Sequence, residues 1–246
     1  DMIERIEVYK GIVPYKFGGS ALGGAVNVVL KEYPPVYMDF SYESGSFNTH
    51  QASPIFKWTN RKSGLQFGLG GVFSFSKNNY KMMLANLDNR IVKRDHDSFK
   101  KIIGGGSIKA TKWWFDEMKL EVVFTKTRQE VQGLDLDVRE AFNHSCGFVT
   151  AFSLKRKNFF LDGLDFDFGA GYVWSWYGLQ DKAKNRYDWD GRELPPVSSF
   201  GGEQNNYPSD GKNKSKEFIS KLNMGYTIDE HHSINLNIYA DRTRLN

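Results

Sequence analysis

Several residue types and patterns that identify common classes of protein are scarce in this sequence. Its 246 residues include a single cysteine, Cys146, which excludes an internal disulfide framework and a four-cysteine zinc site. No apolar run approaches the ~18 residues that a transmembrane helix needs. A large excess of one charge is also missing, because 33 Lys and Arg are interspersed with 29 Asp and Glu. A nucleic-acid-binding surface would gather its cations on one face, so we expect no nucleic-acid partner.

The start of the chain and the spacing of its reactive side chains exclude further classes. No basic segment followed by an apolar one is present at the start, so we expect a mature chain or an internal piece of one. No Ser, His and Asp arrangement typical of nucleophilic catalysis is visible, and we expect no enzyme activity. His231 and His232 share a turn without convergent spacing, and His144 and Cys146 lack a third ligand. We therefore expect neither a metal site nor a cofactor.

An acidic cluster in a predicted loop is a further candidate for a metal site. Asp135, Asp137 and Glu140 offer carboxylate oxygens, which are the ligands that calcium prefers. Their spacing is not that of an EF-hand loop. We interpret the segment as a solvated acidic loop, with a calcium site as the alternative.

Aromatic residues in a polar background are what the sequence has in abundance. Phe, Tyr and Trp make up 15% of the chain, yet its mean hydropathy is only −0.53. Apolar and polar residues alternate between residues 164 and 176. The apolar positions are Leu164, Phe166, Phe168, Ala170, Tyr172, Trp174 and Trp176. This alternation is longer than the ~5–6 residues of a soluble strand and satisfies the ~9–11 that a tilted membrane strand needs.

The same alternation recurs along the chain and predicts about nine strands after residue 35. The segments are residues 36–43, 50–58, 65–75, 102–113, 118–125, 146–156, 164–176, 218–228 and 234–239. Pro54 conflicts with the interior of its strand, because proline has no N–H to donate to a neighbouring strand. The fold class that we expect is mainly all-β and antiparallel.

The predicted connections between these strands are sorted by length. Short polar turns are predicted at residues 60–64, 112–117, 157–163 and 229–233, and long connections at 77–101, 131–145 and 178–216. The turn at 45–48 is the exception, because it is short but lies at the end of the strands that carries the long connections. Short turns at one end and long loops at the other are typical of a transmembrane β-barrel of the outer membrane. Tryptophans near strand ends agree with an aromatic girdle in such a barrel, or else with core packing in a soluble protein.

The first 35 residues have a different pattern. A short strand over residues 3–9 ends at Lys10 and Gly11, and a second strand follows over residues 25–30. Glycine pairs lie between them, at 18–19 and 23–24. They do not form a phosphate-binding loop, because that motif ends in Gly-Lys-Ser or Gly-Lys-Thr and here Ala25 follows. We interpret these glycines as permitting tight turns.

Two longer motifs make up most of this segment: IERIEVYKG at residues 3–11 and YKFGGSALGGAVNVVLK at residues 15–31. They resemble the end of the plug domain of TonB-dependent outer-membrane receptors, whose usual forms are IERIEVLRG and LYGSGALGGVINIITK. The residues that carry the resemblance are Glu4, Arg5, Glu7, Lys10, Gly11, Gly18, Gly23, Gly24 and Asn27.

The resemblance implies a fragment of a plugged barrel. Residues 1–32 would be the C-terminal part of the plug domain, and residues 33–246 the first nine or so strands of a barrel of about 22 strands. The protein would lie in the outer membrane of a Gram-negative bacterium, in contact with outer-membrane lipid. It would take up a scarce nutrient actively, most often a metal chelate such as an iron–siderophore. The TonB complex would engage a segment that this chain lacks.

Two groups of residues are the candidate ligand-binding site. The resemblance places Tyr15, Lys16 and Phe17 at a plug turn that reaches toward the external ligand. Tyr187, Trp189 and Arg192 lie in the longest predicted loop, where aromatic faces and a cation can hold an anionic or aromatic ligand. The alternatives are that Phe17 packs inside the plug, and that the long loop is a mobile, glycine-rich surface segment.

Two other functions remain open at this stage. A passive porin or an adhesin barrel would explain the long strands but not the plug-like segment. A soluble β-sandwich binding module would pack the apolar faces of its strands against each other.

Overall fold

The computed structural model describes residues 3–11, 23–30, 34–196, 198–204 and 207–245. In this part of the chain every strand pairing is antiparallel, so the all-β class is confirmed. No helix in the described ranges is long and apolar enough to cross a membrane. β1 (Ile3–Lys10) and β2 (Gly24–Leu30) form a two-stranded sheet of their own.

The long strands form one large sheet. Their bounds are β3 (Val36–Gly45), β4 (Thr49–Asn60), β5 (Leu65–Ser76), β8 (Phe99–Ala110), β9 (Glu117–Glu130), β10 (Phe142–Arg156), β11 (Leu164–Asp181), β15 (Asn213–Thr227) and β16 (Ser233–Leu245). They lie in chain order from β3 to β16, each paired with its neighbours. All the predicted strands after residue 35 are therefore present.

The remaining strands are short and belong to the long connections. β6 (Lys81–Leu84) pairs with β7 (Arg90–Lys93), and β12 (Arg186–Tyr187) pairs with β13 (Glu193–Leu194). β14 (Ser209–Asp210) pairs with the end of β11.

Several predicted strands are longer in the structure than their alternating segments, as β10 and β11 illustrate. β10 begins at Phe142 instead of residue 146, and β11 continues to Asp181. Backbone pairing between them reaches Phe142 and Gln180. Because hydrogen bonds between strands do not require apolar side chains, alternation marks only the apolar part of a strand. The long connections are correspondingly shorter than predicted.

Pro54 lies inside β4, where the sequence predicts a conflict, and the pairing of β4 with β5 is interrupted there. It is in register with Phe40 of β3. On the other side the ladder with β5 pairs Ala52 with Phe73 and resumes at Ile55 with Gly70, leaving out the two residues between them. The missing N–H of proline explains this local interruption.

The register places most of the apolar side chains of the nine long strands on one face, since directly opposed residues project to the same side of a sheet. One row runs through Met38, Phe56, Leu69, Gly106 and Val122. Another joins Leu120, Phe152, Ala170, Ser220 and Ala240. We call this the apolar face. The opposite, polar face carries Asp39, Lys57, Lys119, Asp167 and Asn223 among others.

The apolar face is exposed. Met38 is 74% exposed, Phe40 70% and Leu69 65%, and Ile234 near the other edge is 61% exposed. Within the described residues no second sheet packs against these side chains, and β3 and β16 each have one paired edge and one unpaired edge. In the described part of the chain the sheet is therefore open, and nothing else covers its apolar face.

Candidate functional site

The three long connections lie at one end of the sheet and interlock. They are residues 77–98, 131–141 and 182–212, which we call the loop cap. The short turns at 61–64, 111–116, 157–163 and 228–232 are at the opposite end. The predicted sorting of loops by length is therefore present in the structure.

Two buried carboxylates join the second and third connections. Asp181 is fully buried and accepts hydrogen bonds from the backbone N–H groups of Glu203 at 2.9 Å and Gln204 at 2.8 Å. The carboxylate of Glu203 in turn accepts the N–H groups of Arg139 at 3.0 Å and Ala141 at 2.6 Å. Because these backbone donors are removed from water, each carboxylate satisfies groups that would otherwise destabilise the fold.

The first connection is attached to the second in a similar way. The side-chain oxygen of Gln132 accepts the N–H groups of Asp95 at 3.1 Å and His96 at 3.3 Å. His96 Nε2 lies 2.8 Å from the carbonyl oxygen of Ala141. Burial, and then the negative charge of Asp137, raise the pKa of Asp95. The three connections thus form one hydrogen-bonded unit.

The loop cap also has an apolar core of its own. Its buried apolar side chains are Leu84, Val92, Val138, Ala141 and Ala183. Asp137 is only 8% exposed, and it binds the guanidinium of Arg139 at 2.7 Å. The prediction of a solvated acidic loop was therefore wrong for Asp137, because the neighbouring arginine compensates its burial.

Tyr187 and Trp189, which the sequence singled out, are half-buried in the hairpin of β12 and β13. The guanidinium carbon of Arg139 lies 3.8 Å from the centre of the Tyr187 ring. Trp189 donates its Nε1–H to the carbonyl of Leu134 at 3.1 Å. Arg192 is exposed, and its backbone N–H binds the side chain of Asp188 at 2.8 Å. The two rings therefore have structural partners, and the Arg192 side chain projects to solvent.

An open pocket of about 440 Å³ lies beside Tyr187. Its lining is Arg139, Glu140, Lys182, Lys184, Asn185, Tyr187 and Glu203. Lys182 is also paired with Asp210 at 2.6 Å. Trp189 and Arg192 do not line the pocket. An aromatic face beside three cations can hold an anionic, partly aromatic ligand.

Arg90, Arg139, Asp181 and Glu203 were not identified from the sequence. Arg90 donates to the carbonyl of Trp189 at 2.9 Å and pairs with Asp190 at 2.8 Å, which joins the first connection to the third. No local pattern marks any of these residues, because each acts on a partner far away in the sequence. The other half of the predicted site, Tyr15, Lys16 and Phe17, lies outside the described residues.

The plug-like motif forms a hairpin centred on Glu7. Its carboxylate accepts hydrogen bonds from Asn27 at 2.8 Å, Arg5 at 2.9 Å and the hydroxyl of Tyr9 at 3.0 Å. These contacts, Asn27 first, lower the pKa of Glu7. Glu4 pairs with Arg5 at 3.1 Å. Arg5, Glu7 and Asn27 of the motif thus meet on one face of the hairpin.

The glycines of the motif have separate backbone roles. Gly24 is in register with Lys10 and has a φ of +146°, and a Cβ there would collide with the carbonyl of Tyr9. The N–H of Gly11 donates to the carbonyl of Gly23 at 3.4 Å. Gly18 lies outside the described residues.

Comparison with protein-family models and with curated proteins finds no match for this chain. Within the described ranges, no group of three or more His, Cys, Asp or Glu side chains is arranged to hold a metal ion.

Proposed function

We propose that this chain is part of a TonB-dependent outer-membrane receptor that takes up a scarce nutrient, most often a metal chelate such as an iron–siderophore. The observation that carries the proposal is the apolar face, which continues in register across nine strands and is exposed at Met38, Phe40 and Leu69. Soluble monomers rarely expose contiguous apolar patches larger than a few hundred Å². Membrane lipid is the surrounding that such a face requires.

The unpaired edges of the sheet support the same proposal. β3 and β16 each leave one row of backbone N–H and C=O groups without a strand partner in the described residues. In lipid those groups have no water to bind, so an open sheet is unstable there and a closed barrel is the stable solution. Further strands between the two edges would complete a barrel with the apolar face outside.

The loop cap is the region in which we propose that the ligand binds. In this topology the long connections face the exterior and the short turns face the periplasm. The pocket beside Tyr187 presents the cations Arg139, Lys182 and Lys184 toward its opening. An anionic metal chelate fits this combination of charge and aromatic surface. The plug turn at Tyr15, Lys16 and Phe17 would approach the ligand from below.

Uptake by cells that produce the complete protein tests the function. Cells are given a panel of radioiron-loaded siderophores, with the TonB complex present or deleted. We expect uptake of at least one chelate in the first case and none in the second. Uptake that continues without TonB would favour a passive porin, and a complete protein that stays in solution without detergent would favour a soluble module.

Variants of the candidate site test where the ligand binds. We expect Phe17→Ala and Tyr187→Ala to weaken chelate binding directly, and Trp189→Ala to weaken it by loosening the hairpin that carries Tyr187, while surface levels stay normal. Trp114→Ala, at the opposite end of the sheet, is the matched control and should bind normally. Unchanged binding in the three site variants would remove these residues from the site.

A further inference from the structure

Basic side chains border the apolar face at the end that carries the loop cap. The pairs of the ladder place them on the same face as the apolar rows: Lys100 opposite Arg128, Lys126 opposite Cys146, Lys214 opposite Trp176, and Lys216 opposite Arg244. We call these side chains, with Arg242, the basic border. It comprises Lys100, Lys126, Arg128, Lys214, Lys216, Arg242 and Arg244.

The border is confined to one end of the sheet. At the end with the short turns, the apolar face ends in Trp58, Ala110, Met118, Leu164 and Tyr226, which lie in register with neighbouring apolar residues. In the described part of the ladder, the basic residue on the apolar face at the short-turn end is Arg156, which lies opposite Phe166. A general surplus of cations would have been distributed over both ends, so the asymmetry needs a local explanation.

Five cations of the border have no carboxylate partner within the described residues. Lys126, Arg128, Lys214, Lys216 and Arg242 are exposed. Within the described chain, none of these five forms an ion pair with a carboxylate. Two acidic residues lie nearby and are engaged elsewhere: Glu130 accepts the N–H of Ser98 at 2.9 Å, and Asp210 pairs with Lys182 at 2.6 Å.

Aromatic rings of the same end orient several of the cations. The guanidinium carbon of Arg128 lies 3.7 Å from the centre of the Phe142 ring. Lys212, the loop-cap residue immediately before β15, lies 5.0 Å from the ring of Trp176, and Lys100 of the border lies 5.8 Å from that of Phe73. A long basic side chain can keep its stem on apolar surface while its charge points to a polar layer.

We propose that the basic border binds the phosphate groups of phosphorylated lipids whose acyl chains cover the apolar face. This inference rests on the proposed function, since it takes the apolar face to be in contact with lipid. Charge complementarity selects an anionic headgroup, and continuity with the apolar face selects a lipid over a free anion. Several guanidinium and ammonium groups at one level can contact the phosphates of one headgroup layer together.

Lipid binding to the complete protein in neutral detergent tests the proposal, with native mass spectrometry as the measurement. The probes are a diphosphorylated lipid A, phosphatidylcholine and inorganic phosphate. The test variant replaces Lys126, Arg128, Lys214 and Lys216 with glutamine. The control variant replaces Arg61, Lys62, Arg156 and Lys157, which removes the same charge from the opposite end. A third variant, in which Lys126, Lys214 and Lys216 become arginine, keeps the charge.

We expect the wild type to prefer lipid A to phosphatidylcholine, and the glutamine variant of the border to bind lipid A at least about tenfold more weakly. The control and arginine variants should bind as the wild type does. Equal losses in the border and control variants, or no loss in either, would overturn the proposal. Competition by millimolar inorganic phosphate that displaces lipid A fully would also overturn it, because the site would then be one for free phosphate.

Flotation of the wild-type protein with phosphatidylcholine vesicles separates this inference from the function on which it rests. Protein that floats without preferring lipid A would contradict the basic border alone. Protein that does not float at all would contradict the membrane-embedded receptor itself. Circular dichroism of each variant in detergent shows whether its strands have formed, so a misfolded variant is not counted as a loss of binding.

Discussion

The large sheet and the loop cap bury their side chains in opposite ways. In the sheet, large apolar residues such as Phe40, Leu69 and Ile234 are more than half exposed. In the loop cap, Leu84 and Val138 are each 2% exposed, and the carboxylate of Asp181 is wholly buried. Ordinary soluble proteins have the reverse distribution, with regular strands around the core and connections on the surface.

This difference indicates which surroundings each region was built for. The loop cap supplies its own apolar contacts and satisfies its own backbone donors, so it is stable in contact with water. The sheet satisfies its backbone through the ladder, but within the described residues no other part of the chain covers its apolar face. Such a face gains free energy only when something apolar covers it. A substitution should therefore have different consequences in the two regions.

The largest expected effect distinguishes the two faces of the sheet. Ala170 lies on the apolar face, opposite Phe152 and Ser220, whereas Gly171 lies on the polar face, opposite Ala151. A Cβ at Gly171 would be 3.7 Å from the nearest atom, the carbonyl oxygen of Thr150, so a side chain fits there. We expect Ala170→Arg to lower the free energy of unfolding from lipid by about 2–4 kcal/mol, and Gly171→Arg to lower it much less.

Urea unfolding of the complete protein in vesicles measures this contrast. Equal destabilisation by the two arginines would contradict the assignment of faces. A larger effect at Gly171 would reverse it. In either case, lipid would not be the medium that covers the apolar face.

The next effect tests the claim that the loop cap is held by its own buried groups. Asp181→Ala leaves the N–H groups of Glu203 and Gln204 without acceptors, so we expect a local destabilisation of about 2–3 kcal/mol. Hydrogen exchange at these two amides should accelerate accordingly. Asp190→Ala is the matched control: its partner Arg90 is exposed, and such pairs contribute little. Similar exchange in both variants would contradict the buried role of Asp181.

A smaller effect is expected at the contact between the second and third connections. Arg139→Gln removes both the stacking on Tyr187 and the ion pair with Asp137. The side chain of Arg139 is 43% exposed. We expect a loss of about 1–2 kcal/mol, since the partly exposed guanidinium makes weak individual contacts but its removal leaves the buried carboxylate of Asp137 without its cation. Intrinsic protein fluorescence during mild denaturation would report the loosening of the hairpin. Arg192→Gln, whose side chain lacks such contacts in the described residues, should leave it unchanged.

The sequence predicts the sheet far better than the loop cap, for a physical reason. Strand alternation is a local property, so the segment from Leu164 to Trp176 identifies its own strand and its own apolar face. The contacts of the cap join residues that are distant in the chain, as between Asp181 and Glu203 or between Arg90 and Trp189. A loop with many polar residues looks the same in sequence whether those residues bind water or each other. For that reason Tyr187 could be identified as an aromatic loop residue, but its stacking partner Arg139 could not.

The smallest expected effect lies in the short turn between β15 and β16. The carboxylate of Asp229 accepts the N–H groups of His231 and His232, both at 2.8 Å, and lies 2.9 Å from Nδ1 of His232. The N–H of His231, followed by the side chain of His232, lowers the pKa of Asp229. A lowered pKa means that the turn is stabilised above the ordinary pKa of an aspartate, and that this stabilisation is lost as the pH falls through the lowered pKa. Amide chemical shifts of His231 and His232 should therefore change together at a pH below the ordinary aspartate range. In Asp229→Asn the same shifts should stay constant over that range, while the unfolding midpoint of the sheet is unchanged. A titration that persists in the asparagine variant would assign the proton to another group. The exposed turn would then have no carboxylate that controls its geometry, whereas the loop cap is held by those of Asp181 and Glu203.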